Sequence, residues 1–305
     1  MDLQGKKVIV FGGAGFIGRA LCSVLAKYGA AVTAFDRDLI PECETIRCIQ
    51  GDFFDDAQLK SAVYDQDIIV HAICTINPGS SVDHYMRGYE KDFVQSAKLC
   101  DLAFRQGKRL LFLSSGGTVY GSKSTPLTEG DPKCPINHYG SLKLCIETMI
   151  QTFIHTGADF RIARIANAYG PGQDYRKGVG FIDAAIKKAL TGESIEVWGD
   201  GSIIRDYIHI DDICHMLCDV LMYDGDEHTF NIGTGEGVSQ QQIVEMVRDI
   251  LVEAEVRYLP ARAIDNHCLV LNIDRYCRCF SYRPRYVRQG LKEYVTWLEE
   301  RQHSK

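Results

Sequence analysis

The stretch KVIVFGGAGFIGRA at residues 7–20 governs how the rest of the chain is read. The apolar run from Val8 to Phe11 meets Gly12, Gly13, Gly15 and Gly18, and helical spacing then takes over at Ile17, Leu21, Val24 and Leu25. Lys6 and Lys7 ahead of an apolar run resemble a leader peptide, but the glycines interrupt it and no small-residue cleavage site follows. A strand, its turn and a helix are expected instead. Further apolar runs fall at 31–35, 45–50, 67–73, 109–114 and 160–165, separated by helical stretches at 16–28, 55–64, 82–105 and 137–156. Strands that are apolar on both faces and alternate with helices form a parallel sheet with helical crossovers. The first half therefore reads as an α/β fold with a doubly wound parallel sheet.

At residues 167–173, Asn-Ala-Tyr-Gly-Pro-Gly-Gln breaks regular structure, and a smaller second lobe is expected from there. Helical pattern returns at 181–190, 211–222, 239–253 and 287–301, while the run at 230–233 fits either lobe. With 305 residues the chain can bury a large core, which excludes small stapled scaffolds. Lys and Arg number 34 against 40 Asp and Glu, a net charge of −6 without a basic block, so nucleic acid is not an expected partner. A hydrophobic content of 46% argues against disorder, and no run approaches the ~18 apolar residues of a membrane span. The 12 cysteines include no C-x-x-C pair, and neither Cys214 with Cys218 nor Cys277 with Cys279 has partners to complete a zinc site. Reduced structural thiols in a cytoplasmic, metal-free protein are expected.

Gly12-x-x-Gly15-x-x-Gly18 opens a helix directly after a strand. Without Cβ atoms the backbone can turn tightly and approach a ligand. The unpaired N–H groups at the helix start, around Phe16 and Ile17, attract an anionic pyrophosphate. Asp36 ends the second strand 18 residues after Gly18. A carboxylate there accepts both hydroxyls of an adenosine ribose and repels a 2′-phosphate, which favours NAD over NADP, although Arg37 could tolerate that phosphate. Asp52 and Phe53 follow the third strand, and Asp52 reads either as a partner of the adenine amino group or as a helix cap before Asp55. Tyr139 and Lys143 stand at i and i+4 on one helix face, where an ammonium favours phenolate and makes Tyr139 a candidate general base.

Together with Ser114-Ser-Gly-Gly-Thr-Val-Tyr-Gly121, Asn167-Ala-Tyr-Gly-Pro171 and Trp198-Gly-Asp-Gly-Ser-Ile-Ile-Arg-Asp-Tyr-Ile-His209, these motifs resemble the extended short-chain dehydrogenase/reductases that modify nucleotide-linked sugars. The likeness is greatest to the UDP-glucose 4-epimerase branch and runs from Lys7 to about Leu298. It implies a Rossmann-type NAD-binding domain over 1–166, rejoined by 206–234, and a nucleotide-sugar-binding lobe over 167–305. It implies that Tyr139 removes the sugar 4-hydroxyl proton and that Lys143 holds the nicotinamide ribose.

The family also places a hydroxyl against the 4-oxygen, at the position that is Gly116 here. Thr118 or Ser115 must then serve, with Thr118 ranked first. Gly117 and Thr118 stand where related dehydratases and decarboxylating enzymes carry acids, so those reactions lack their acid. By the same resemblance Asn167 and Arg205 hold the sugar diphosphate, Arg262 and Asp265 hold phosphate and ribose, and Leu269 lies near the hexose C2 substituent. Tyr120 and Tyr169 read as core or as ligand contacts, and His71, His209 and His215 as structural.

The implied activity is NAD-dependent 4-epimerisation of an NDP-hexose, UDP-linked by preference, in polysaccharide biosynthesis. The alternatives are an NAD(P)H-dependent 4-ketoreductase and a non-catalytic nucleotide-binding protein. Helices 82–105 and 137–156 resemble those that pair in family homodimers.

Overall fold

The computed structural model describes residues 1–38, 44–121, 126–251, 254–260 and 267–303. In chain order the first half contains β1 (Lys7–Phe11), α1 (Phe16–Lys27), β2 (Ala31–Asp36), β3 (Ile46–Gln50), α2 (Asp56–Tyr64) and β4 (Ile68–His71). It continues with α3 (Ser81–Arg87), α4 (Val94–Arg105), β5 (Arg109–Ser115), the single turn α5 (Gly116–Val119), α6 (His138–His155) and β6 (Phe160–Ile165). The second half adds β7 (Asn167–Tyr169), α7 (Phe181–Leu190), β8 (Ile195–Trp198), β9 (Ile204–His209), α8 (Ile210–Met222) and β10 (Thr229–Ile232). Last come β11 (Gly237–Ser239), α9 (Gln240–Ile250), β12 (Val256–Leu259), β13 (Cys268–Leu269), α10 (Asp274–Cys279) and α11 (Val287–His303).

Seven parallel strands form the main sheet in the order β10-β6-β5-β4-β1-β2-β3. The chain winds outward from β1 in one direction and from β4 in the other, so a crevice opens at their carboxyl ends, where α/β sheets bind ligands. Register aligns those ends, with Phe11 level with both Phe35 and His71, and His71 level with Phe112. One face of the sheet buries Leu21 and Leu25 of α1 with Leu217 and Leu221 of α8. The other buries Leu99 and Ala103 of α4 with Leu142 and Ile146 of α6.

The run at 230–233 is thus resolved in favour of the main sheet, where β10 pairs with β6. Helix α8 packs on α1. Strand β9 does not join them: it pairs with β7, β11 and β13 in the smaller sheet, so the return to the main sheet begins at Ile210. The fully buried Asp206 ties that smaller sheet together, accepting from Thr234 N–H at 2.9 Å, Thr234 Oγ1 at 2.8 Å, Gly235 N–H at 3.1 Å and Leu271 N–H at 3.3 Å. A third apolar cluster, including Ile182, Ile186, Val244 and Leu291, fills the second lobe.

The single helix expected over 82–105 is divided. A π-helical turn at Gly88–Phe93 separates α3 from α4 and turns Asp92, 2% exposed, into the interior. There its carboxylate accepts from Thr75 N–H at 2.8 Å and Thr75 Oγ1 at 3.0 Å. Among the described residues, no helix is long and apolar enough to cross a membrane.

Candidate active site

The glycine turn is held from both sides. Gly12 and Gly13 N–H donate to Phe35 O at 2.9 and 3.2 Å, and Ala14 N–H donates to the Asp36 carboxylate at 3.0 Å. Gly12 has φ +92°, and a Cβ on Gly18 would lie 2.1 Å from Gly12 O, so neither position accepts a side chain. Gly15 caps α1 without a side-chain bond, and the first helical bond runs from Arg19 N–H to Gly15 O at 3.0 Å. The N–H groups of Phe16, Ile17 and Gly18 consequently have no acceptor within the helix. Those three residues line a cavity of about 590 Å³ at the carboxyl ends of β1, β4, β5 and β6.

Asp36 stands beside this turn, its other oxygen accepting from Asp38 N–H at 3.1 Å. The Asp52 carboxylate accepts from Phe54 N–H at 2.9 Å. The helix cap weighed for Asp52 belongs instead to Asp55, which accepts from Ala57 and Gln58 N–H at 2.9 and 3.0 Å. Phe53 is 3% exposed and packs on Phe11 and His71, so only its backbone can meet a ligand. None of these three residues lines the cavity.

Tyr139, Lys143, Thr118 and Ser115 line the same cavity as the glycine turn. Asn137 starts α6 by accepting from Gly140 N–H at 2.8 Å. The absence of a side chain at Gly140 lets α6 approach α5, since a Cβ there would lie 2.6 Å from Thr118 O. Lys143 is 3% exposed, donates to Leu113 O at 2.8 Å and sits 4.7 Å from the Phe112 ring centroid and 5.7 Å from that of Tyr139. The lowering of the Tyr139 pKa expected from this ammonium is not what this site produces. Burial pushes the phenol well above its usual range, and the nearby Cys74 adds to the rise.

Gly116 is closely packed. A Cβ at 116 would point away from the cavity, meeting Leu271 Cδ1 at 2.6 Å and Arg164 O at 3.0 Å. Thr118 Oγ1 is buried without a partner, a costly state for a hydroxyl and one that a ligand oxygen would relieve.

Asn167 and Arg205 also line the cavity. Asn167 Nδ2 donates to Asp206 O at 3.0 Å, which leaves its carbonyl oxygen toward Gly117, and Arg205 Nη1 donates to Ile204 O at 2.8 Å. Arg262 and Asp265 lie outside the described residues. Leu269 is not among the residues that line the cavity: it is fully buried in the apolar cluster that holds Leu271 and Tyr276. Two residues that pattern alone did not single out do line the wall, Gln173 and Gln240, each with a buried amide oxygen lacking a partner.

Tyr120 and Tyr169 are core residues, donating to Asn231 Oδ1 at 2.6 Å and Val287 O at 3.4 Å. The three histidines make structural contacts: His71 with Ser96, His209 with Asp211 N–H and His215 with Tyr28.

The glycine cradle, the acceptor-free N–H groups and the unpaired polar atoms around one cavity fit a dinucleotide with a second ligand beside it. A family profile described as the NAD dependent epimerase/dehydratase family matches residues 8–233. The chain is 29% identical to a dTDP-4-dehydro-6-deoxyglucose reductase of Escherichia coli, covering 94% of this chain and 95% of that one. It is 29% identical to a UDP-glucose 4-epimerase of Corynebacterium glutamicum, with 92% of each covered. Its fold matches the crystal structure of a UDP-glucose 4-epimerase with UDP-glucose from Thermotoga maritima at a TM-score of 0.89 and 25% identity, covering 97% of this chain and 99% of that one.

Proposed function

The chain belongs to the NAD dependent epimerase/dehydratase family, and from that premise we propose that it inverts carbon 4 of an NDP-hexose, UDP-linked, through a transient 4-keto sugar. The observation that carries this reading is that Tyr139, Lys143 and the unpaired Thr118 hydroxyl share one cavity with the glycine turn. When bound, NAD supplies the acceptor for the C4 hydride and, once reduced, its donor.

The protein's own groups do the rest. The N–H groups of Gly15 to Gly18 hold the pyrophosphate, Asp36 takes the adenosine ribose hydroxyls, and Asp52 with the Phe53 backbone faces the adenine. Lys143 holds the nicotinamide ribose and biases Tyr139 toward phenolate. Tyr139 removes the proton of the sugar 4-hydroxyl while Thr118, with Ser115 as the second choice, donates to the same oxygen. Asn167, Arg205, Arg262 and Asp265 grip the diphosphate and nucleoside. A firm grip there and loose contacts at the hexose let the 4-keto sugar present either face.

Incubation with a panel of UDP-hexoses without added NADH tests this, with interconversion of the 4-epimers expected. Absence of product from every sugar would end the reading. The likeness to the E. coli reductase favours a second one, reduction of a 4-keto-6-deoxy sugar, which stoichiometric consumption of NAD(P)H would reveal.

The same reading takes the chain as two units, 1–166 with 210–234 and the remainder, and as a homodimer. Exposed Val82, Met86, Val94 and Phe104 along α3 and α4, beside α6, support that pairing, and sedimentation at twice the monomer mass is expected. The buried thiols Cys22, Cys100, Cys214 and Cys218, none in a disulfide, support a reducing cytoplasmic setting.

A further inference from the structure

Helix α6 carries a third group on the face of Tyr139 and Lys143. Glu147 lies one turn beyond Lys143 and is 2% exposed. Its carboxylate accepts from Ser114 Oγ near the end of β5, and from Arg164 Nε and Nη2 on β6 at 3.1 and 2.7 Å. Arg164 Nη1 donates onward to Tyr120 Oη at 2.9 Å, and the Tyr120 phenol donates to Asn231 on β10. Ser114 and Tyr120 bracket the segment 115–119 that bears Thr118. Both ends of that segment are therefore tied, through one ion pair, to the helix that bears Tyr139. Of these side chains only Ser114 borders the cavity, so the pair cannot touch a substrate.

Burying two charges is costly, and apolar residues of similar volume would fill the same space without that cost. What apolar contacts lack is the directional fork of a guanidinium on a carboxylate, which sets both distance and angle. We propose that Glu147 and Arg164 are positioning residues that set the separation of Thr118 Oγ1 from Tyr139 Oη, and hence the placing of both on the sugar 4-oxygen. This rests on the roles proposed above for Thr118 and Tyr139.

The double variant Glu147→Leu with Arg164→Met tests it, because it removes both charges and strands neither. The variant is expected to melt at or above the wild-type temperature and to keep its KM for the UDP-hexose within about twofold. Its kcat should fall by roughly 10²-fold, the effect of an ångström-scale misplacement. A folded double variant with wild-type kcat overturns the inference. Should it fail to fold, Tyr120→Phe removes one phenol oxygen outside the cavity, which cuts its bonds to Arg164 and Asn231 and leaves the Glu147–Arg164 pair in place: a several-fold drop in kcat at unchanged KM supports the inference, and wild-type kcat overturns it. If the wild-type protein turns over no sugar on the panel, the proposed function fails by itself. Crystal structures of the wild type and of whichever variant folds then decide the inference. A changed Thr118–Tyr139 oxygen separation upholds it and an unchanged one overturns it.

Discussion

Gly140→Ala inserts a methyl group between the turn that carries Thr118 and the helix that carries Tyr139. The added Cβ would lie 2.6 Å from Thr118 O and 3.0 Å from Pro135 Cβ. The first of these is a backbone atom that cannot rotate aside, so α5 must retreat by about 0.8 Å to reach ordinary contact at 3.4 Å. Alanine gains up to about 1 kcal/mol of helix propensity over glycine, against about 1–3 kcal/mol for overpacking. The melting temperature should fall by no more than a few degrees. Turnover is more sensitive, because a shift of about 1 Å in a reacting group costs on the order of 10²-fold. A loss of about 30–100-fold in kcat is expected, about 2–3 kcal/mol of barrier, with KM nearly unchanged since the nucleotide end is untouched. Steady-state kinetics on the active UDP-hexose, beside a thermal melt, would check it. A folded Gly140→Ala protein with kcat within threefold of wild type would refute the claim that the α5–α6 spacing sets the reaction geometry.

Other outcomes follow from the same site. Tyr139→Phe should keep NAD and UDP-sugar affinity and lose about 10²–10⁴-fold in kcat, and full turnover would remove Tyr139 as the base. Because burial raises the Tyr139 pKa, the free enzyme holds a neutral phenol at neutral pH, and the base form grows as pH rises toward that pKa. The kcat/KM profile should accordingly climb between about pH 7 and 9, and a profile falling over that range would contradict the assignment. Thr118→Val should lower kcat by about 10²-fold and Ser115→Ala by less than about tenfold; the reverse order would transfer the role to Ser115. Gly18→Ala, with its Cβ 2.1 Å from Gly12 O, should abolish measurable NAD binding in calorimetry, while wild-type affinity would show that the turn holds no pyrophosphate.

Much of the site was legible because its signals are local. The glycine turn, Asp36 at a strand end and the Tyr139–Lys143 pair each depend on spacing within one element or between two successive ones, and each lies where that spacing puts it. The helix at 82–105 was legible only as a helix, since a π turn inserts one residue without disturbing apolar periodicity enough to announce itself. Leu269 was assigned by position along the chain, but whether a strand residue faces a cavity or the core depends on what packs against it, and Leu269 is buried in one apolar cluster with Leu271 and Tyr276.

Composition and period therefore dictated a doubly wound sheet with a glycine turn at its first crossover, because alternation of apolar strands and helices leaves few other ways to bury both faces. The packing around Gly116 and the buried Glu147–Arg164 pair depended on residues far apart in the chain. Leu271 and Arg164 reach Gly116, and Glu147 reaches Ser114, only after the sheet has assembled. Contacts of that kind are set by packing in three dimensions, and no periodicity along the chain records them.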